Sequence, residues 1–168
     1  RKQGVPCFTL DETQRTWEEY GKSIKFLEFL RELEKTYKEE KRMIIEASDS
    51  FNEEKGSRSF SEVRAGRQQV AANMAEIANG LVQKGIKGVY VIIGGDTLEA
   101  IMKRVGCKKI IPLKELMPGV VYSKVYSESG ELSVISKSGG LGEEDVLVRL
   151  LCKNGAEEAD GRDEIAFG

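Results

Sequence analysis

The sequence has no histidine in 168 residues. That removes Ser-His-Asp and Cys-His nucleophilic chemistry and every imidazole metal site. Its three cysteines, Cys7, Cys107 and Cys152, are odd in number, far apart and without a CxxC pair. This pattern argues against a disulfide framework and more strongly against a zinc site. No stretch approaches the ~18 consecutive apolar residues of a membrane span, so no membrane partner is expected. An excess of one charge is also missing: 26 basic against 28 acidic residues give a net charge of -2. A strongly electrostatic nucleic-acid binder is therefore not expected. The chain opens on Arg1 rather than an initiator Met and reads as a fragment. No secretory pattern follows Arg1, which, with the lack of disulfide signals, predicts a cytoplasmic location. Any catalysis must use carboxylates, Lys, Arg, hydroxyls or backbone amides.

What is present suits one domain or one half of a larger enzyme. Apolar residues make up 40% and charged residues 32%, a balance that can bury a core. Trp17, Tyr20, Ile24, Leu27, Leu30, Leu33 and Tyr37 recur at steps of three and four, predicting one helix over 14–40. Arg42 to Ala47 reads as a short buried strand and 48–58 as a polar loop. Ser59 and Glu62 form a capping-box pattern before a helix whose face is Val63, Val70, Met74, Ile77 and Leu81. Gly85 is placed to end it with a left-handed cap. Gly88 to Ile93 is a continuous apolar run, as in strands buried on both faces. Leu98 to Val105 reads as a helix, Ile110 to Leu113 as a short apolar piece, and Met117-Pro118-Gly119 as a turn. Val120 to Tyr126 and Leu132 to Ser136 flank Ser129-Gly130 as a hairpin. Asp145 to Lys153 reads as a closing helix. The expected fold is a layered α/β/α domain over 1–153, with a mixed, mostly parallel sheet and a C-terminal β-hairpin. Residues 154–168 read as an acidic mobile tail.

Two glycine loops carry the candidate chemistry. Gly94-Gly95-Asp96-Thr97 joins the most apolar strand to a helix, where free N–H groups suit a phosphate. Lys137-Ser138-Gly139-Gly140-Leu141-Gly142 has three glycines in six residues and a lysine that can meet a phosphate. It is not a Walker A loop, because the lysine precedes the glycines. Asp96, with Glu143, Glu144 and Asp145 after the second loop, would repel a bare triphosphate. Mg2+ bridging carboxylate and phosphate oxygens resolves this, with Asp96 reaching the metal through water. Read without a ligand, the first loop is an ordinary βα turn capped by Asp96 or Thr97, and the second is a solvent loop with an exposed lysine.

The order of these pieces resembles the C-terminal nucleotide-binding domain of the four-carbon acid sugar kinase family. The resemblance covers 61–151. It rests on an Ala-rich helix, an apolar strand with GGDT (Gly94 to Thr97), a helix ending at Gly106, Pro118-Gly119 before a hairpin, and the K-S-G-x-x-G loop of Lys137 to Gly142. It implies an ATP-binding half of a kinase for threonate, erythronate or 3-oxo-tetronate substrates. The sugar acid would be held by an N-terminal domain missing from this chain. Gly94, Gly95, Asp96, Thr97, Lys137, Ser138, Gly139, Gly140 and Gly142 would surround ATP and Mg2+. Leu98 and Leu141 depart from the family, which often has a small residue and Phe there. The Gly-Ser phosphate loop that usually opens the domain is also missing. The residues name no catalytic base and leave homo-oligomerisation open. Two other readings stay open: a phosphofructokinase-like or NAD- or lipid-kinase-like enzyme, whose loop usually runs GGDG, and a non-catalytic small-molecule-binding module.

Overall fold

The computed structural model describes residues 4–47 and 60–139. Strand β1 (Cys7–Thr9) leads into α1 (Glu12–Thr16). A capping box starts this helix: Asp11 Oδ1 accepts from the Gln14 N–H, and Gln14 Oε1 accepts from the Asp11 N–H. The expected single helix over 14–40 is broken. A 3-10 turn spans Tyr20–Lys22, and α2 (Ile24–Glu40) starts afresh at Ser23, whose Oγ accepts from the Phe26 N–H. The restart shifts the helical phase. Tyr20, Phe26, Leu30 and Leu33 are buried, whereas Trp17, Ile24 and Leu27 are exposed.

Strand β2 (Ile44–Glu46) pairs in parallel with β1, with Phe8 opposite Ile45. Helix α3 (Phe60–Gln83) follows, and the expected cap Ser59 lies outside the described residues. Its end is a Schellman motif: Gly85, at φ 71°, donates to Val82 O, and Ile86 donates to Leu81 O. Ile77 and Leu81 of α3 pack with Leu10, Tyr20 and the buried face of α2. Buried Asn73 on α3 donates through Nδ2 to the carbonyls of Gln14, Arg15 and Trp17, fastening the end of α1.

Strand β3 (Val89–Ile93) passes into α4 (Gly95–Arg104), then β4 (Cys107–Met117), β5 (Val120–Ser127) and β6 (Gly130–Lys137). The sheet order is β3-β6-β5-β4. The chain thus crosses over α4 to the far edge and meanders back to lie beside β3. The β3–β6 pair is parallel; β6–β5 and β5–β4 are antiparallel. The expected mixed sheet and C-terminal hairpin are present. The predominance of parallel pairing does not extend to this sheet, because Ile110 to Leu113 is part of an 11-residue strand that adds an antiparallel pair. On one face, Ile92, Val125 and Val134 pack against Ala75 of α3 and Ile101, Met102 and Val105 at α4. On the other, Val120 and Ile135 gather Val89, Val91 and Tyr122. The expected helix Asp145 to Lys153 lies outside the described residues, which place helices on one face of this sheet.

Candidate functional site

The parallel pair β3–β6 brings the two glycine loops together. Ile93 and Lys137 end their strands opposite one another. One residue on, the Gly94 N–H donates to the Lys137 carbonyl at 2.9 Å. A Cβ on Gly139 would sit 3.7 Å from the Gly94 Cα. Loops that start 43 positions apart in sequence therefore touch at the carboxyl ends of adjacent parallel strands, where open α/β sheets bind ligands.

Gly94 is the N-cap of α4, at φ 104° and ψ 129°. A side chain is strained there, so glycine is the residue that makes this turn. Its carbonyl accepts from the Leu98 N–H at 3.0 Å. No side chain caps α4. The helix geometry leaves its leading amides, those of Gly95, Asp96 and Thr97, without intrahelical acceptors. The α4 start thus combines uncapped N–H groups with a positive helix-dipole end. Gly95 and Asp96 are exposed, and Gly94 and Thr97 half-buried. A Cβ on Gly95 would meet nothing within 4 Å, so a ligand can approach that backbone closely.

Lys137 is half-buried, and its Nζ donates to the Ser138 carbonyl at 3.1 Å. Its charge thus lies at the base of the loop, in an exposed hydrogen bond. Ser138 and Gly139 are exposed. Gly140 and Gly142 of the same loop lie outside the described residues, as do Glu143, Glu144 and Asp145. Among the described residues no three of His, Cys, Asp and Glu gather into a metal cluster. The one carboxylate of the GGDT turn, Asp96, does fit Mg2+ carried by a nucleotide, since Mg2+ needs only one or two protein carboxylates when phosphates and waters complete its shell.

Tyr90 is not a candidate acid or base. Its hydroxyl donates to the Ile86 carbonyl at the opposite end of β3, and burial pushes its pKa up to about 12. Reading from sequence missed an open groove along α4. It begins at Gly95, is lined by Leu98, Met102, Cys107 and Ile110, and has a volume of about 420 Å³. The helical steps from 95 to 98 and 102 signal it, but Cys107 and Ile110 join only once β4 packs alongside.

The sequence matches the family described as the nucleotide-binding C-terminal domain over residues 1–147. The chain belongs to that family. Its fold recurs in a Bordetella bronchiseptica protein of the DUF1537 family, solved as a domain-swapped dimer with bound citrate. That match has 22% identity and a TM-score of 0.60, over 88% of this chain and 32% of that one. A Haemophilus influenzae DUF1537 protein matches at 20% identity and TM-score 0.62, over 84% of this chain and 32% of that one. A Salmonella typhimurium LT2 protein carrying a provisional tRNA-synthase name matches at 19% identity and TM-score 0.64, over 90% and 35%. DUF1537 is the four-carbon acid sugar kinase family, so the resemblance drawn from the glycine loops is borne out. The chain spans about a third of the length of these solved structures. No curated protein matches it in sequence. No helix among the described residues is long and apolar enough to cross a membrane.

Proposed function

We propose that this chain is the ATP-binding half of a kinase that phosphorylates a four-carbon sugar acid of the threonate, erythronate or 3-oxo-tetronate type. The observation that carries the nucleotide site is the contact between the two glycine loops at the β3–β6 pair, beside the uncapped start of α4. In this reading the Gly94–Thr97 backbone amides hold phosphate oxygens. Ser138 and Gly139 lie beside them, Gly140 and Gly142 are nucleotide contacts on the family resemblance alone, and Lys137 supplies positive charge at the base of the loop. Asp96 would hold Mg2+ through water, and the ion would supply neutralisation of the phosphate charge. Phosphoryl transfer needs positioning and charge neutralisation more than a protein nucleophile, which suits a chain without histidine. The sugar acid and any base acting on its hydroxyl belong to the remainder of a full-length protein of this family.

A thermal-shift titration with ATP, with and without Mg2+, tests the nucleotide site. A ligand at 100-fold its Kd adds ~2.7 kcal/mol of stability. The expected result is a rise in Tm with MgATP that shrinks on chelation and in Asp96→Asn. No rise under any condition would remove the assignment. Transfer of labelled phosphate from ATP to threonate or erythronate by a full-length protein containing this chain tests the substrate class.

A further inference from the structure

A cavity of about 310 Å³ opens at the foot of the main sheet, at the opposite end of β3 and β6 from the two glycine loops. The two strands are unequal there. Their first pair is Val89 with Ser133, whereas β6 starts at Gly130, so residues 130–132 run on past β3. Gly85, the glycine end of α3, and Ile86 line the other side of the gap. The strands' paired length of five residues sets this cavity ~13 Å from the glycine loops. We propose that it binds a small aliphatic carboxylate, at a site separate from the nucleotide site and independent of that reading.

The lining combines an apolar wall with hydrogen-bond donors. Val82, Ile86, Leu132 and Tyr90 make the wall. The Tyr90 hydroxyl is already spent on the Ile86 carbonyl, so this residue offers carbon surface. Half-buried Lys124 gives one N–H to Glu131 Oε1 at 2.6 Å and keeps its others. That bond raises the Lys124 pKa above its ordinary value, so the ammonium is charged at neutral pH. Ser129 Oγ accepts from Gln83 Nε2 at 2.8 Å, and Ser133 Oγ accepts from the Tyr122 hydroxyl at 3.4 Å. Each serine retains its own O–H to donate. Glu131 is the one carboxylate among the described lining residues, and Lys124 already occupies it. Lys87 adds a second positive charge. Donors therefore exceed acceptors, which selects an anion. The wall selects the rest of the ligand: an alkyl chain gains by burial there, whereas the hydroxyls of a sugar acid would lie unpaired against it. The volume stands at the lower end of the range of small-molecule sites, which suits a short chain.

The test is proton–nitrogen correlation NMR of the intact chain, titrated with hexanoate. Three controls accompany it: hexan-1-ol has the chain without the charge, sulfate has charge without the chain, and threonate has a carboxylate on a hydroxylated body. Hexanoate is expected to saturate, to shift the amides of Gly85, Gly88, Ser129, Glu131 and Ser133, and to bind at least fivefold more tightly than any control. Lys124→Met keeps an alkyl stem and removes the charge; it is expected to raise the hexanoate Kd at least tenfold. Glu131→Gln removes the competing carboxylate and is expected to lower that Kd about threefold, a gain that a merely structural ion pair would not give. Equal binding of hexan-1-ol would overturn carboxylate recognition. Equal binding of sulfate or threonate would overturn the aliphatic body. Saturation without shifts at these amides, or no saturation by hexanoate, would overturn the site and leave the nucleotide reading standing. If Lys124→Met fails to fold, the shift map of the parent chain and the Glu131→Gln affinity decide.

Discussion

Gly94 and Gly95 are neighbours, and the structure assigns them opposite sensitivities. At Gly94, φ is 104°, and an added Cβ would meet only Thr97 Oγ1, at an ordinary 3.6 Å. The cost of Gly94→Ala is therefore conformational rather than steric. Backbone strain of this kind costs ~1–3 kcal/mol, which in a chain of this size lowers Tm by roughly 2–12 °C. At Gly95 the φ is ordinary and nothing lies within 4 Å of a Cβ. Alanine also favours helix over glycine by up to ~1 kcal/mol. Gly95→Ala should leave Tm unchanged or slightly raised. Its methyl, however, would fill open space beside the amides proposed for phosphate. A tenfold loss of affinity for MgATP, equivalent to ~1.4 kcal/mol, is the least expected of it. Differential scanning fluorimetry and isothermal titration calorimetry on both variants separate the two effects. A Gly95→Ala variant that binds MgATP within twofold of the parent would refute phosphate approach at this turn. An unchanged Tm for Gly94→Ala would refute the strained N-cap.

Three further outcomes follow from the packing. Asn73→Ala should cost about 1–3 kcal/mol in urea unfolding, because the carbonyls of Gln14, Arg15 and Trp17 lose the donor they share with buried Asn73; a change below ~0.5 kcal/mol, the range of ordinary surface substitutions, would show that water replaces it freely. Gly80→Ala should destabilise by about 1–3 kcal/mol, since its Cβ would lie 2.5 Å from Cδ1 of buried Leu30 and force α2 from α3; an unchanged urea midpoint would mean that Leu30 rotates away without loss. Lys38 and Lys84 hold the Glu34 carboxyl at about 2 against its ordinary 4.5. A lowered pKa stabilises the fold above the unfolded-state value, so Glu34→Gln should be less stable than the parent at neutral pH. The gap should close as pH falls from about 4.5 towards 2; a gap independent of pH in that window would point to lost packing instead.

Where local chemistry determined structure, the sequence was readable. The apolar run of β3, the glycine end of α3 and the hairpin around Gly130 each carry their signal within a few residues. The failures have physical causes. Trp17, Ile24 and Leu27 sit at helical spacing with Tyr20, yet Ser23 captures the Phe26 amide and restarts the helix in another phase. A single serine among apolar residues does not announce that. The length of β4 was hidden because Lys108, Lys109, Lys114 and Glu115 interrupt its apolar residues and Pro112 lies within it. Charges and proline are what an edge strand tolerates and uses to avoid pairing with other chains. Both glycine loops were visible, the first at the junction of β3 and α4 and the second at the end of β6. That they touch was not, because it depends on a strand order in which 36 residues of helix and meander separate the partners β3 and β6.

The register of that pair is what keeps the candidate site assembled. In β6, Val134 and Ile135 are both buried but face opposite sides of the sheet. Val134 meets the α3 and α4 side with Ile92, and Ile135 meets Val120 on the other. A slip of one residue would exchange their faces and expose or crowd both clusters at once. The parallel alignment is thereby held from two sides, with Ile93 opposite Lys137. The same alignment sets the bond from the Gly94 amide to the Lys137 carbonyl and the approach of Gly139 to Gly94. The relative position of the loops is imposed by hydrophobic burial lower in the sheet, which leaves Gly95 and Gly139 exposed rather than packed.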